Sequence, residues 1–303
     1  MNSAQFKKTW YVKTAVSRIL IGCKENDRIP TLEELVEFTS SSRGLVQNAL
    51  KSLQEEGAVT LAKRGKMGTF VSKVDAKALF TLGDLSFITG SMPTPLTQIL
   101  AGLATGICKM MNECPVPFNF AFVQASGNRV DALMRRIYDF VVVSERAALM
   151  HMNDHPCLEI AAILEESLYA KQYKLCTVDP TIREVRDGMR LAADPKSIDQ
   201  YQLTLEMCEG KDVKIIPCSF TTSHAMFKSG EVDATIFNDD EWAAQPGVFT
   251  WPLPGQDSPL KPCILIHEDN LAMGDILRRF LKDSVIAQCQ KDVVQGRMPA
   301  QYF

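Results

Sequence analysis

The pattern of apolar and polar residues predicts two short, consecutive helices between residues 31 and 57. Thr31 and Glu34 have the spacing of a capping box, which marks the start of the first helix. Serines at positions 40–42 break that helix and cap the next one. Gly57 ends the second helix, where a residue with positive φ is usual. The second helix has an apolar side at helical spacing, formed by Leu45, Val46, Ala49, Leu50 and Leu53.

A longer helix is predicted ahead of these two, over residues 5–23, and two β-prone runs follow them. The runs cover residues 59–61 and 69–71, and a basic, glycine-containing segment at 63–68 joins them. One helix, a tight helix pair and a basic hairpin, in this order, predict a winged helix-turn-helix. We expect the buried side of the first helix to consist of Trp10, Val12, Val16, Ile19, Leu20 and Cys23.

The second short helix carries polar residues on the side opposite its apolar stripe. An α-helix fits the major groove of DNA, where base edges present distinguishable donors and acceptors. Charged sides are also usual on solvated surface helices, but the order of the elements here favours DNA. We predict base reading by Arg43, Gln47 and Asn48, phosphate neutralisation by Lys51, Lys63, Arg64 and Lys66, and further DNA contacts by Thr31, Ser41, Ser42 and Thr69.

A family resemblance rests on Ile29, Pro30, Thr31, Ser42, Arg43, Val46, Ala49, Leu50, Leu53, Glu56, Gly57, Gly68, Thr69, Phe70 and Val71. At this spacing, roughly the first quarter of the chain resembles the winged-helix domain of the GntR family of bacterial transcription regulators. The resemblance implies DNA binding. Glu33 and Gln47 stand where that family commonly has arginines that touch DNA, so affinity and sequence preference stay open.

Charge and cysteine content add to this picture. The net charge is −3, but residues 1–77 contain 13 Lys and Arg against 8 Asp and Glu, whereas the remainder contains 20 against 28. A basic domain followed by an acidic one suits a nucleic-acid reader joined to a second function. The nine cysteines form no CxxC pair, which is typical of reduced cytosolic proteins. Because we find neither an apolar signal region nor an apolar run of about 20 residues, we predict a cytoplasmic protein.

From residue 83 onward, short apolar runs alternate with amphipathic stretches. This alternation predicts parallel β-sheets with helices on both faces. A strand is predicted at 85–88, with residues 90–95 forming the loop at its end, and residues 157–171 are predicted to be helical.

Three features of this part resemble the ligand-binding domains built like type 2 periplasmic solute-binding proteins. They are a strand leading into Gly90 and Ser91, a strand unit at 138–144 that follows a helix, and a segment at 190–197 that crosses into a second lobe. With its GntR-like start, the whole chain looks similar to the YhfZ family of enterobacterial regulators, including the residues at 93–95 and 102–106. That resemblance supplies no ligand.

The expected fold is therefore α/β, an N-terminal winged helix-turn-helix followed by a two-lobed type 2 periplasmic-binding-protein-like domain. The helix-turn-helix domain covers residues 1–75 and the two-lobed domain residues 83–303. Lobe 1 is predicted at 83–186 and 260–303, and lobe 2 at 187–259. Closure of the lobes on a ligand is expected to move the junction at 74–82.

Ligands of open parallel sheets lie beyond the carboxyl ends of the strands, against helix N-termini that favour anions. Small hydroxyl residues recur at such places, and each is also explained as an ordinary helix cap. Asn238 follows a strand, where it suits either a ligand or a solvated turn. For a small polar ligand with a carboxylate or phosphate, we predict contacts from Ser91, Thr94, Ser126, Gly127, Ser144, Asp194, Ser197, Thr221, Thr222, Ser223 and Asn238.

Two enzyme-like signals are weaker than their plain explanations. The group His151, Asp154, His155 and Cys157 contains metal-ligand residue types, but an ordinary loop explains it better. His224 with Cys218 is a nucleophile pair without a readable orienting group. We predict no metal, no cofactor and no enzymatic activity.

The sequence is thus typical of a transcriptional regulator that binds an operator in double-stranded DNA under the control of a small metabolite. We predict a homodimer, because one winged helix reads only a single half-site. The alternative is an enzyme or solute-binding protein on the same fold with a vestigial helix-turn-helix.

Overall fold

The computed structural model describes residues 3–84, 87–238, 247–256 and 258–302. The chain divides into two compact units. Unit 1 consists of Met1–Ile88, Asn112–Asn119 and Asn270–Phe280, and unit 2 of Thr89–Met111, Phe120–Asp269 and Leu281–Phe303. Within the described ranges, no helix is long and apolar enough to cross a membrane.

Unit 1 contains a winged helix-turn-helix. Its two strands pair antiparallel and form the wing, with a short 3₁₀ turn at the tip, Gly65–Met67. The elements are α1 (Ser3–Ile21), α2 (Leu32–Thr39), α3 (Arg43–Glu55), β1 (Val59–Lys63), β2 (Thr69–Val74) and α4 (Ala76–Leu82).

The predicted ends of α2 and α3 are present with one exception. Thr31 and Glu34 form the capping box, Ser40 ends α2 in a left-handed conformation, and Gly57 follows α3 with φ of 72°. The exception is Ser42, whose side chain makes no capping hydrogen bond. Its carbonyl oxygen instead accepts the first helical bonds, from the amides of Leu45 and Val46.

The buried side of α1 differs from the prediction at Trp10. Val12, Val16 and Leu20 are fully buried, whereas Trp10 is 51% exposed. Each residue turns an α-helix by about 100°, so a residue two positions before Val12 lies on the opposite side. The prediction that Trp10 is buried was therefore wrong.

Unit 2 carries two five-stranded sheets. The first has the strand order β4-β3-β5-β12-β6 and the second β11-β7-β10-β8-β9. The strands are β3 (Ile88–Met92), β4 (Phe118–Phe122), β5 (Phe140–Ser144), β6 (Leu158–Ile163), β7 (Tyr173–Thr177), β8 (Arg190–Ala193), β9 (Lys214–Pro217), β10 (Ala234–Asn238), β11 (Phe249–Pro252) and β12 (Pro262–His267).

Both sheets are mixed, although the sequence pattern predicted parallel ones. In the first sheet β12 runs antiparallel to β5 and β6, because it belongs to the segment that returns from the second sheet. In the second sheet β7 runs antiparallel to β10 and β11, while β8 is parallel to its neighbours.

Seven further α-helices are present in the described part of the chain. They are α5 (Gln98–Met111), α6 (Ser126–Met134), α7 (Glu145–Asp154), α8 (Ile198–Cys208), α9 (Phe220–Ser229), α10 (Leu271–Phe280) and α11 (Asp283–Val294). Of these, α10 belongs to unit 1, where Arg279 donates from Nη1 to the carbonyl oxygen of Ile21 at 2.7 Å.

Two stretches of unit 2 have a different structure from the one predicted. Residues 157–171 are not a helix, because 158–163 form β6, which is paired with β12. A short apolar run fits a strand or a helix equally well, and here the neighbouring strand supplies the partners. Gly90 and Ser91 lie inside β3 and not in a loop after a strand. Residues 85 and 86 of the strand predicted there lie outside the described residues.

The chain crosses between the two sheets at two paired segments. Ala170 and Leu260 form an antiparallel bridge, and the amide of Tyr169 donates to the carbonyl oxygen of Leu260 at 2.8 Å. The return crossing lies near Leu260. The outward crossing lies near Ala170 and not near residue 186, because β7 already belongs to the second sheet.

Candidate functional site

Unit 1 presents a groove between α2, α3 and the wing. Its floor contains the apolar side chains of Leu32, Leu35, Leu50 and Leu61. The structure brings several of the residues predicted to contact DNA to this one groove, namely Thr31, Gln47, Lys51, Lys63 and Thr69. A groove with a polar helix face on one side and lysines at its edge suits the phosphates and base edges of duplex DNA.

The remaining predicted DNA contacts lie outside the lining of that groove. Arg43 is exposed at the start of α3, with Nη1 3.4 Å from a carboxylate oxygen of Glu33. Arg64 donates to Asn26 at 2.9 Å and lies over the ring of Phe70, so it braces the wing. The others are Ser41, whose hydroxyl donates to the carbonyl oxygen of Thr39, and the exposed Ser42, Asn48 and Lys66.

A second candidate site is a cleft in unit 2 between the two sheets. Its cavity volume is about 50 Å³, and the cleft is partly open to solvent. Both sheets contribute to it, since β4 and α6 approach from one side and β10 and α8 from the other. The cleft is lined by Pro93, Leu100, Gln124, Ala125, Ser126, Arg129, Tyr169, Tyr173, Ser197, Asp199, Gln200, Phe237 and Asn238.

The turn from β4 into α6 forms one wall of the cleft and is strained. Ala125 precedes α6 with φ of 65°, a conformation that costs a non-glycine residue of order 1–3 kcal/mol. Its methyl group cannot cap the helix, so the first turn of α6 has no side-chain cap. Ser126 follows, is 5% exposed, and its Oγ lies 3.0 Å from Nε2 of His151. Backbone strain of this kind is often kept where a site needs it.

Hydrogen bonds across the cleft hold the two sides together. The hydroxyl of Ser144, at the end of β5, donates to Oδ2 of Asp199 in α8 at 2.6 Å. The amide of Gly127 donates to the carbonyl oxygen of Lys196 at 2.7 Å. Ser144 also accepts from the amide of Ala147 and so caps α7. These contacts join elements of both sheets, as expected for a cleft that closes by a hinge.

Arg129 is the largest fully buried side chain of the described residues and is 1% exposed. Its Nε donates to the carbonyl oxygen of Val142 at 3.2 Å and its Nη1 to that of Val123 at 2.7 Å. Nη2 donates to the hydroxyl of Tyr169 at 3.1 Å. All three acceptors are neutral oxygens, so the cleft contains a buried positive charge.

The structure places the predicted ligand residues unevenly. Ser126, Ser197 and Asn238 line the cleft, and Gly127 and Ser144 bond across it. Five others do not line it: Ser91, Thr94, Asp194, Thr222 and Ser223. Ser91 is buried inside β3 and Ser223 is buried as well. The carboxylate of Asp194 accepts from the amide of Lys196, and Thr222 forms a capping box with Ser219. The side chain of Thr221 lies outside the described part.

Sequence reasoning missed the charged residues of the cleft, Arg129 and Asp199. One signal was available for Arg129. On α6 it falls on the same side as Ser126, Val130 and Leu133, all of which are buried. A charge on an otherwise apolar side of a helix indicates either a partner or a site. Asp199 carried no such signal, because an acidic residue in the first turn of a helix is ordinary.

The metal-ligand and nucleophile candidates gain no support. His151 lies on α7 and not in a loop, and Asp154 ends that helix. Among the described residues, no group of three or more His, Cys, Asp or Glu is placed to hold a metal ion. Cys218 is a free thiol whose pKa is raised by burial, and the side chain of His224 lies outside the described residues. No disulfide joins any of the nine cysteines, all of which lie in described residues.

His151 makes the stability of unit 2 depend on pH. Burial lowers the pKa of its imidazole; His155 and Arg129 act in the same direction, and the carboxylates of Asp199 and Asp154 oppose them. The unfolded chain, with a histidine pKa of about 6.5, therefore takes up a proton before the folded state does. Stability should fall as pH drops below about 6.5, by at most about 1.4 kcal/mol per pH unit from this group.

Urea unfolding at pH 7.5 and 5.5 checks this expectation. The loss of stability on acidification should shrink in His151→Asn, whatever that variant's absolute stability. His155→Asn, which changes a less buried ring at the end of the same helix, serves as the control. An equal acid sensitivity of the wild type and His151→Asn would contradict the assignment.

Comparisons with known proteins agree with this architecture. Residues 75–302 match the family model of the YhfZ C-terminal domain, and residues 24–71 match a helix-turn-helix domain model. A helix-turn-helix domain followed by this C-terminal domain indicates a transcription regulator. The chain is 30% identical to YhfZ of Escherichia coli (strain K12) over 309 residues, covering 100% of both proteins. It belongs to the YhfZ family.

Solved structures show the same fold in unit 2. The crystal structure of YhfZ from Shigella flexneri matches with a TM-score of 0.59 and 27% identity, over 75% of this chain and 97% of that one. The periplasmic aliphatic sulphonate binding protein SsuA from Escherichia coli matches with a TM-score of 0.52 and 15% identity, over 70% and 74% of the two chains. The Bordetella pertussis BvgS periplasmic VFT2 domain matches with a TM-score of 0.52 and 12% identity, over 72% of this chain and 97% of that one. The last two matches establish the fold alone and confirm the predicted periplasmic-binding-protein-like class.

Proposed function

We propose that this regulator changes its affinity for an operator when a small polar metabolite binds in the cleft of unit 2. The carrying observation is the cleft itself, which is bounded by both sheets and contains buried charge. A ligand that touches both sides favours the closed arrangement, so binding shifts a conformational equilibrium. The lysine-edged groove of unit 1 supports GntR-like operator binding, and we propose no catalytic role for either site.

A thermal-shift screen of cytosolic metabolites, followed by DNA-binding measurements, tests this function. Metabolites that raise the melting temperature are added to the full chain with a labelled fragment from upstream of its own gene. We expect at least one of them to change the fragment's Kd at least fivefold, with binding that weakens as salt rises. Asp199→Asn should remove the metabolite's effect while DNA binding by the free protein is retained. A chain that binds no DNA, or metabolites that bind without changing Kd, would contradict the proposal.

We propose in addition that the regulator acts as a homodimer. A single winged helix covers one short site, and regulators with one recognition helix per chain usually read two half-sites about one helical turn apart. Sedimentation velocity at micromolar concentration, with and without DNA, distinguishes the states. A monomer under both conditions would exclude this assembly.

A further inference from the structure

The cleft in unit 2 contains two buried charges of opposite sign. Arg129 and Asp199 both line it, and they are 1% and 6% exposed. Among the residues that the structure describes, neither forms an ion pair, either with the other or with a third group. Two opposite charges that face one cavity without meeting leave room for a ligand that carries both complementary charges.

The protein solvates each charge with neutral groups only. A guanidinium has five N–H donors, and the carbonyl oxygens of Val142 and Val123 and the hydroxyl of Tyr169 take three of them. These bonds leave one N–H on each terminal nitrogen of Arg129 unused, and carboxylates and other oxyanions accept such donors. The carboxylate of Asp199 likewise accepts only from neutral donors, which are the Ser144 hydroxyl and the backbone amide of Gln200.

Isolated buried charges carry a desolvation cost that a charged partner offsets. A ligand with only an anionic group would compensate Arg129 and leave the buried carboxylate of Asp199 in the same cleft without a cationic partner. A ligand with only a cationic group would do the reverse. A ligand with both groups compensates both residues. Its anionic group then lies at Arg129 and its cationic group at Asp199, which fixes its orientation.

We infer that the cleft binds a small zwitterion that carries an oxyanion, such as a carboxylate, and an ammonium group. The assignment rests on the proposed function and specifies its ligand class. The oxyanion lies at Arg129, and the ammonium group lies at Asp199. The body of the ligand contacts Leu100, Tyr173 and Phe237, which line the same space.

A third group supports the position of the oxyanion. The side-chain nitrogen Nε2 of Gln124 is buried and has no hydrogen-bond partner. Gln124 lines the cleft and lies in the strained turn that leads into α6. Buried amide donors are normally satisfied in proteins, so an unsatisfied one beside a buried cation indicates the place of an acceptor. An oxyanion bound at Arg129 supplies that acceptor.

The test uses sets of three probes that differ only in charge. Each amino acid is compared with the acid that lacks its amino group and with the amine that lacks its carboxylate, and taurine and phosphoethanolamine extend the panel. Calorimetry on the full chain without DNA gives each Kd. We expect at least one zwitterion to bind, and loss of either charged group to weaken binding at least tenfold.

Two variants then connect the charges to the residues. Asp199→Asn should lower affinity for the zwitterion at least tenfold and leave the acid without an amino group bound equally well or better. Arg129→Gln should remove binding of the zwitterion. Glu209→Gln removes a negative charge at an exposed position of the same unit. It should change neither the affinity for the zwitterion nor that for the acid without an amino group. If Arg129→Gln does not fold, Asp199→Asn with the probe sets still decides the question.

Three outcomes would overturn the assignment: no zwitterion binds, the matched acid binds as tightly as the zwitterion, or Asp199→Asn weakens all probes equally. Failure of the regulatory proposal looks different. In that case a zwitterion binds with the expected charge dependence, but the Kd for DNA does not change. A ligand that changes DNA affinity while lacking one of the two charges would support regulation and contradict the zwitterion.

Discussion

Replacing Arg43 by alanine should weaken binding to the cognate operator by about 1–3 kcal/mol while leaving binding to random DNA almost unchanged. Arg43 begins α3 and is exposed, so its guanidinium can reach the edge of a base once it leaves the carboxylate of Glu33. Bidentate contact with a guanine is the commonest specific contact of arginine. Fluorescence anisotropy with cognate and scrambled duplexes at several salt concentrations measures both quantities.

Lys66 at the tip of the wing provides the contrasting variant. Lys66 is predicted to contact phosphate. Lys66→Ala should therefore weaken binding to both duplexes and lower the slope of log Kd against log salt by about 0.9. If Arg43→Ala weakens binding to the two duplexes equally, Arg43 contacts the DNA backbone and not a base. If neither variant changes binding, the DNA-reading surface lies elsewhere.

Glu33 provides a second test of the DNA contact predicted for Arg43. Its carboxylate oxygen lies 3.4 Å from Nη1 of Arg43. On binding, Arg43 must leave this carboxylate, and Glu33 itself repels phosphates. Glu33→Gln should therefore tighten binding more in the wild-type background than in Arg43→Ala, and a double-mutant cycle isolates that difference.

The helix-turn-helix could be predicted closely from the sequence because local chemistry determines it. The capping box at Thr31, the positive φ at Gly57 and the apolar stripe of α3 each depend on residues within a few positions. Trp10 shows the limit of such reasoning. A large apolar residue next to a buried stripe was taken as part of it, although its angular position on α1 places it in solvent.

Unit 2 was predictable in its fold class but not in its strand directions. The run at 158–163 is apolar enough for a helix or a strand, and only its pairing with β12, about a hundred residues later, decides between them. The same holds for the outward crossing of the chain. β7 pairs with β10 and β11, and no local pattern near Tyr173 indicates those partners.

Some of the residues predicted to bind a ligand line the cleft of unit 2, while its charged residues were missed. Strand ends rich in hydroxyl groups led to Ser126 and Ser197, and the end of another strand led to Asn238; all three line the cleft. Thr222 followed the same rule, but its hydroxyl is used in the capping box of α9. Whether such a residue caps its own helix or faces a cavity depends on the packing of distant elements, which the sequence alone does not reveal.

Replacing Gly102 by valine should have the largest effect on stability, because α5 and α11 pack backbone to backbone at this residue. A methyl group added at Gly102 would lie 2.7 Å from Cα and 2.9 Å from the carbonyl oxygen of Gln290. These are backbone atoms of a helix and cannot rotate away, so the helices must separate. Overpacking of this kind costs about 1–3 kcal/mol or more, and the branched side chain places the substitution at the upper end.

The displacement should also reach the ligand cleft. Gln290 donates from Nε2 to the carbonyl oxygens of Ile99 and Leu168, at 2.9 and 2.7 Å, and accepts from the Leu168 amide at 2.8 Å. Leu168 precedes Tyr169, whose hydroxyl accepts from Arg129. A shift of α11 therefore moves the residue that orients the buried guanidinium. Gly102→Val should weaken ligand binding as well as lower the melting temperature.

Gly44 offers a matched control in the other unit. It lies in α3, and a methyl group added there meets no atom within 4 Å. Gly44→Ala should stabilise its helix by up to about 1 kcal/mol, because alanine has the higher helix propensity. Calorimetric melting of both variants separates packing from propensity, with an expected fall of roughly 6–12 °C for Gly102→Val if about 3 kcal/mol is lost. An unchanged melting temperature in Gly102→Val would mean that α5 and α11 do not approach as closely as Gln290 and Gly102 indicate.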